Sequence, residues 1–198
     1  MDISSIIFIV VLIVSIIFHE VAHGYVADRL GDPTARLAGR LSLNPLVHLD
    51  WFGSVILPAL LIFSGAPFVL GWAKPVPFNP YNMKNPRWGA VLVAIAGPIT
   101  NIIIAIIGSI LLQTLTLGSG GIMILTSLII TNIALAIFNL VPIPPLDGHH
   151  LLFAIIPDEF NHIKRFLQQY SFIILIVFVL YGWRLISPLI IGAAQLLL

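Results

Sequence analysis

Long apolar runs alternate with short polar connectors along this chain, and the runs predict helices. No charge interrupts residues 3–18, and a first helix is expected from about Ile3 to about Leu30. The connector "LGDPTARLAGRLSLNPLVHLD" (30–50) is punctuated by Gly31, Pro33 and Pro45. A second apolar run, 51–72, is broken by Pro58, Gly65 and Pro67. "AKPVPFNPYNMKNPR" (73–87) holds too much proline for a helix, so a short extended or β-hairpin element is expected near 71–87. A long helix follows over about Trp88 to Leu117, then a turn at "GSGG" (118–121). The fourth run, Ile122 to Val141, stops at Pro142, Pro144 and Pro145. After a polar connector at 156–170, a last span covers about Ser171 to Leu197.

Composition names the solvent. The chain has 198 residues, 59% hydrophobic and 9% charged, against about 25% charged in soluble domains. Its mean hydropathy is +1.09. The fold class expected is therefore an all-α polytopic membrane protein, one integral membrane domain over residues 1–198. The first run lacks a basic leader and a small-residue cleavage site, so it reads as a retained helix. A net charge of +1 offers nothing to nucleic acid, and the absence of cysteine excludes disulfides and thiolate metal sites.

The basic residues favour one of two topologies, since 51–72 can either span the membrane or enter and return. Arg29, Arg36, Arg40, Lys74, Lys84, Arg87, Lys164 and Arg165 lie in three connectors, while Arg184 lies inside the last span. If 51–72 crossed the membrane once, these eight charges would split three against five. If it enters and returns, all eight share one side, which the positive-inside rule makes cytoplasmic. Four full spans plus one re-entrant apolar segment are thus expected, with proline and glycine in 51–72 giving the turn its physical reason.

Against this apolar background one stretch stands out, "FHEVAHGYVA" (18–27). His19 and His23 are four residues apart, so a helix puts both on one face, separated by about 6 Å of rise. Two imidazoles so placed can hold one metal ion. Glu20 is next round the helix, beside the ion rather than among its ligands, where a general base belongs. A carboxylate in a membrane helix costs about 2.5–3.5 kcal/mol even on the mild insertion scale. A solvated helix end would tolerate the same residues, and Asp28 and Arg29 lie only two turns on.

Two histidines leave a zinc site one protein ligand short. Asp147, His149, His150, His48 and Asp50 are the candidates. Asp147 follows the fourth run directly, and two crossings return the chain to the side where the first helix ends. That parity brings Asp147 to His19 and His23 only if 51–72 does not cross singly. Taken alone, Asp147 in "LDG" is an ordinary turn carboxylate.

"HEVAH", "AGPITN" and "NLVPIPPLDG", in this order, resemble the site-2 protease family of intramembrane zinc metalloproteases, over about residues 15–155. "GWAKPVPFNP" (71–80) is similar to a segment of its small bacterial members, and no stretch has the length of the PDZ or CBS domains some relatives carry. The resemblance implies one Zn²⁺ per chain held by His19, His23 and Asp147, with Glu20 as general base. It implies cleavage of peptide bonds in or near transmembrane segments of membrane-protein substrates, in a prokaryotic cell membrane, with the zinc site toward the cytoplasm. Asn139 and Asn101, polar groups in apolar helices, are candidate substrate-positioning residues, against a plain role in helix–helix bonding. A transporter would also carry charges and broken helices, but no paired halves are evident. Bis-His haem would want histidines on opposing helices. A non-catalytic helix-binding relative would have no need of Glu20. Substrate identity and oligomeric state are not written in the sequence.

Overall fold

The computed structural model describes residues 2–64 and 71–198. Helix α1 spans Ile3–Arg29 and is capped by Asp2, whose carboxylate accepts from the Ser5 N–H at 3.0 Å. The short helix α2 (Thr34–Leu37) and a 3₁₀ turn (Pro45–His48) fill the first connector. Trp51–Ile56 forms a π-helical turn that continues as α3 (Leu57–Phe63). Helix α4 (Pro86–Thr114) starts two residues before the position expected, because Pro86 suits a first helical turn and the Asn85 side chain accepts from the Trp88 N–H. Helix α5 (Ser119–Asn139) takes in most of "GSGG", with only Gly118 outside it as the cap. Beyond the proline run come α6 (Gly148–Ile155) and α7 (Asn161–Gln169). The final span, Ser171–Leu197, is built from α8 (Ser171–Val177), a π-helical turn and α9 (Trp183–Leu197).

Four helices among the described residues are long and apolar enough to cross a membrane: α1, α4, α5 and the continuous Ser171–Leu197. Large apolar side chains such as Phe8, Ile13, Ile103, Ile107 and Leu185 remain exposed on their outer faces. A continuous apolar exterior of this kind suits lipid. Helix α4 is central and the most buried of the four. It packs α1 and α5 against a face of small residues, including Ala90, Ala94, Gly97, Ala105 and Gly108, which allows backbones to approach closely. Helix α1 answers with Val11, Ser15, His19, His23 and Ala27, all buried and each four residues from the last. This single ridge carries both histidines into the helix interface. Helix α9 closes the other side of α5 through Ile186 and Ile190 against Ala105 and Ile133.

The β-hairpin expected near 71–87 is not formed. Residues 71–79 run as an extended strap with no strand partner, and no strand occurs among the described residues. Pro75, Pro77 and Pro80 lack the N–H groups that a ladder needs. The strap is instead held by scattered bonds. Trp72 N–H donates to Gly53 O (3.1 Å), and Ser54 Oγ donates to Trp72 O (2.8 Å). Lys74 N–H donates to His48 O (2.9 Å), and the buried Arg40 guanidinium donates to Lys74 O. Asn79 N–H donates to the buried Asp32 carboxylate, which also accepts from Asn82 Nδ2 at 2.7 Å. Phe78 packs against the buried cluster of Ala27, Met83 and Val93. Arg87, one of the charges counted for topology, donates to Ala154 O (2.6 Å) and Ile156 O (3.1 Å), the carbonyls that end α6. Of the residues expected to break 51–72, Gly65 and Pro67 lie outside the described residues, and Pro58 sits in the first turn of α3.

Candidate metal centre

Three helix-borne groups and one turn converge at the buried end of the α1 ridge. His19 and His23 stack edge to face, ring centroids 4.6 Å apart at 87°. Gly97 of α4 leaves the room for them, since a Cβ there would lie 2.6 Å from atoms of both imidazoles. The Gly97-Pro98 pair in "AGPITN" therefore matters at Gly97 as a floor for the two rings.

Each ring is anchored through Nδ1. His23 Nδ1 donates to Val93 O at 2.7 Å, and His19 Nδ1 donates to Asn101 Oδ1. Both Nε2 atoms then point at one carboxylate: Asp147 Oδ2 lies 3.0 Å from His19 Nε2 and 3.4 Å from His23 Nε2. Asp147 reaches this position because Gly148 lets the start of α6 press against the end of α5. A Cβ at Gly148 would lie 2.2 Å from Leu140 O. The glycine of "LDG" is thus required for close approach rather than for a turn.

Glu20 is half-buried beside the pair, and the donor atoms of His19, Glu20 and His23 lie within 4.8 Å of one another. Its Oε2 accepts from Val76 N–H of the strap at 2.8 Å. Flanked by Pro75 and Pro77, Val76 carries the single N–H of that tripeptide. The side chain of Asp147 is 21% exposed while those of His19 and His23 are 7% and 10%, so the centre opens on the Asp147 side.

Burial alone would push the Asp147 carboxyl up; where His19 and His23 are protonated, their hydrogen bonds and charge outweigh that and hold it well below the usual carboxylate range. His149 and His150 stack against each other at 4.0 Å. Burial pushes His149 down. Burial and the neighbouring His149 push His150 down to about 4. Both are neutral at neutral pH and add no charge against a cation.

The donor set fits a metal ion. Both Nδ1 atoms face oxygens, so both carry hydrogen, and a neutral ring in that state holds a lone pair on Nε2. Two such lone pairs directed at a carboxylate repel it unless a cation lies among them or both rings are protonated. Two imidazole nitrogens and one carboxylate oxygen, with one side open, match the three-ligand set of catalytic zinc sites.

Three of the other candidates for a third ligand hold hydrogen bonds elsewhere, and the fourth, His150, has ring contacts. Asp50 caps the Trp51 helix by accepting from Gly53 N–H (2.7 Å). His48 is buried with Nε2 donating to Ser42 O (2.7 Å), and His149 Nδ1 donates to Leu146 O (2.7 Å). His150 lies against Phe78 of the strap at 5.6 Å. Of the two asparagines, Asn101 is fully buried behind His19, away from the open side, and Asn139 donates to Leu135 O of its own helix (3.0 Å). Sequence reasoning missed Ser15 and Asn132, which bond to Asn101 from α1 and α5. The signal for Ser15 was available: it is the polar residue one turn before His19 on the same ridge.

The chain matches the model of Peptidase family M50 over residues 7–120 and 113–181. "Putative zinc metalloprotease YwhC" of Bacillus subtilis is 40% identical over 178 residues, covering 85% of this chain and 78% of its own length. "Putative zinc metalloprotease Rip2" of Mycolicibacterium smegmatis is 30% identical, covering 83% of this chain, which spans 63% of that protein. "Zinc metalloprotease MJ0392" of Methanocaldococcus jannaschii is 27% identical over 78% of this chain, which spans 36% of it. No solved structure matches. With the family model running from residue 7 to residue 181, the chain belongs to peptidase family M50 and is by class a zinc-dependent metalloendopeptidase.

Proposed function

We propose that this protein is an intramembrane endopeptidase that hydrolyses peptide bonds in or near transmembrane segments of membrane-protein substrates. The observation that carries this is the convergence of His19 and His23 Nε2 on Asp147, between helices whose outer faces suit lipid. His19, His23 and Asp147 hold one zinc ion, and Glu20 is the general base. The set His19, Glu20 and His23 could also be read as the ligands. Asp147 is favoured as third ligand because both imidazoles face it and because Glu20 is bonded to Val76 N–H.

Zinc, when bound, lowers the pKa of water and polarises a carbonyl. The rest is done by side chains. Glu20 Oε1 or Oε2 takes the proton of the attacking water and passes it to the leaving nitrogen. Val76 N–H orients that carboxylate. Water enters from the Asp147 side. Asn139 and Asn101 as substrate contacts find less support, since Asn101 is wholly buried and Asn139 bonds its own helix.

The 51–72 segment enters and returns on one side of the membrane. Trp72 N–H bonded to Gly53 O, and Lys74 N–H bonded to His48 O, support this by bringing the chain back beside the point it left. The three basic connectors then share the side to which Asp147 returns, which the positive-inside rule makes the cytoplasmic face of a prokaryotic membrane. Residues 1–198 act as one integral membrane unit. Cysteines placed by Leu43→Cys and Lys74→Cys should react with an impermeant label from the same side, with Ser119→Cys labelled from the other. Labelling of the first two from opposite sides would sink the re-entrant path.

The function itself is tested with the purified chain in proteoliposomes carrying a reporter transmembrane segment. Cuts within or beside the segment, abolished by chelation and restored by zinc, are expected. A chain that cuts soluble peptides but no membrane segment would overturn the intramembrane reading.

A further inference from the structure

Behind the metal centre lies a polar run closed to solvent. Ser15, Asn101 and Asn132, on α1, α4 and α5, are each 0% exposed. Polar side chains in apolar helices commonly join helix to helix, but here the direction of every bond is set. Leu128 O can only accept, so Asn132 turns Nδ2 toward it at 2.9 Å. The same Nδ2 reaches Ser15 Oγ at 2.8 Å. Asn132 Oδ1 therefore faces the other way and accepts from Asn101 Nδ2 at 2.7 Å. Asn101 Nδ2 also points at Ser15 O at 3.4 Å, another group that only accepts. Asn101 Oδ1 is left facing His19 Nδ1. An oxygen there requires hydrogen on Nδ1 and puts the lone pair of the neutral ring on Nε2, the atom 3.0 Å from Asp147 Oδ2.

The two histidines differ in this respect. His23 is fixed by a backbone carbonyl, Val93 O, which cannot turn round. His19 is fixed by a side-chain amide, which can. If Asn101 flipped, it would present NH₂ to Nδ1, and His19 would be driven to the tautomer with hydrogen on Nε2.

We propose that Asn132, steadied by Ser15, is a positioning residue for metal binding. It locks the Asn101 amide in the one orientation that makes His19 an Nε2 ligand. This role rests on zinc at His19, His23 and Asp147. None of the three polar residues is exposed to substrate, so their action is entirely through His19.

The test is zinc affinity of the full chain in detergent, by competition with a chromogenic chelator, with the absorption spectrum of the cobalt-substituted protein as second readout. Asn132→Leu removes the oxygen that holds Asn101 and should weaken zinc by about 10–100-fold, as loss of an outer-shell partner does, and shift the cobalt spectrum. Asn132→Asp should recover most of the affinity. It keeps an oxygen toward Asn101, and its carboxyl, protonated in these surroundings, can donate to Leu128 O. Ser15→Ala should weaken zinc less, since Leu128 O still holds Nδ2, and it decides the matter if Asn132→Leu does not fold. Wild-type affinity in Asn132→Leu, or in Ser15→Ala when the former is unavailable, overturns the proposal while leaving the zinc site standing. A loss that Asn132→Asp does not restore also overturns it, because packing alone would then account for the effect. A wild-type chain that binds no zinc overturns this role and the zinc site together.

Discussion

Glu20→Gln should leave one zinc per chain and reduce cleavage of a membrane-embedded reporter by about 10²–10⁴-fold, the usual contribution of a positioned general acid–base. Glutamine has the shape of glutamate, and its Oε1 can still accept from Val76 N–H, the bond that Glu20 makes at 2.8 Å. His19 and His23 keep their Nδ1 anchors on Asn101 and Val93, so the metal site is undisturbed. Only the ability to take a proton is lost. The measurements are metal content by elemental analysis and the rate of reporter cleavage in the same preparation. Equal cleavage by variant and wild type would remove Glu20 from the chemistry. Loss of zinc along with cleavage would mean instead that Glu20 is a ligand, as its place within 4.8 Å of both imidazole donors allows.

Gly148→Ala should be nearly as damaging, although residue 148 carries no functional group. The added methyl would sit 2.2 Å from Leu140 O and 2.6 Å from Val141 O, both backbone atoms at the end of α5. Backbone cannot swing aside as a long side chain can, so the start of α6 must move, and Asp147 with it. Overpacking of this kind costs about 1–3 kcal/mol of stability. A displacement of about 1 Å at a catalytic constellation can cost about 10²-fold in rate. Weaker zinc binding and a cleavage rate down by about that factor are expected, in a protein that still folds. Zinc titration, reporter cleavage and thermal unfolding in detergent check the three parts. Unchanged zinc affinity and rate would show that Asp147 is not placed by this contact.

Several features were legible before any coordinates. Apolar runs separated by proline-rich connectors imply membrane helices, because lipid demands that backbone bonds be satisfied within each segment. His19 and His23 are four apart, and helical geometry alone puts them on one face. Asp147 was favoured among five candidates by counting crossings, on the condition that 51–72 does not cross singly. These are local or topological properties, and sequence spacing carries them directly.

What only the tertiary structure decided concerns contacts between residues far apart in the chain. The strap over Glu20 is extended without forming a hairpin, because its prolines cannot donate to a ladder and its remaining N–H groups find partners as distant as Glu20 and Asp32. Arg40 and Arg87 read as topology charges; folding makes one a clamp on the strap and the other a cap on α6. Asn101 read either as a candidate substrate contact or as a helix–helix bond, because an amide in an oily helix needs a partner, and sequence cannot say which. The fold supplies His19 on one side and Asn132 on the other, 82 and 31 residues away. The sequence by itself determined the solvent, the helices and the pair of histidines on one helix face. Tertiary packing decided which imidazole nitrogen faces Asp147, because a tautomer is chosen by the group on the far side of the ring, and that group arrives only when α4 and α5 close on α1.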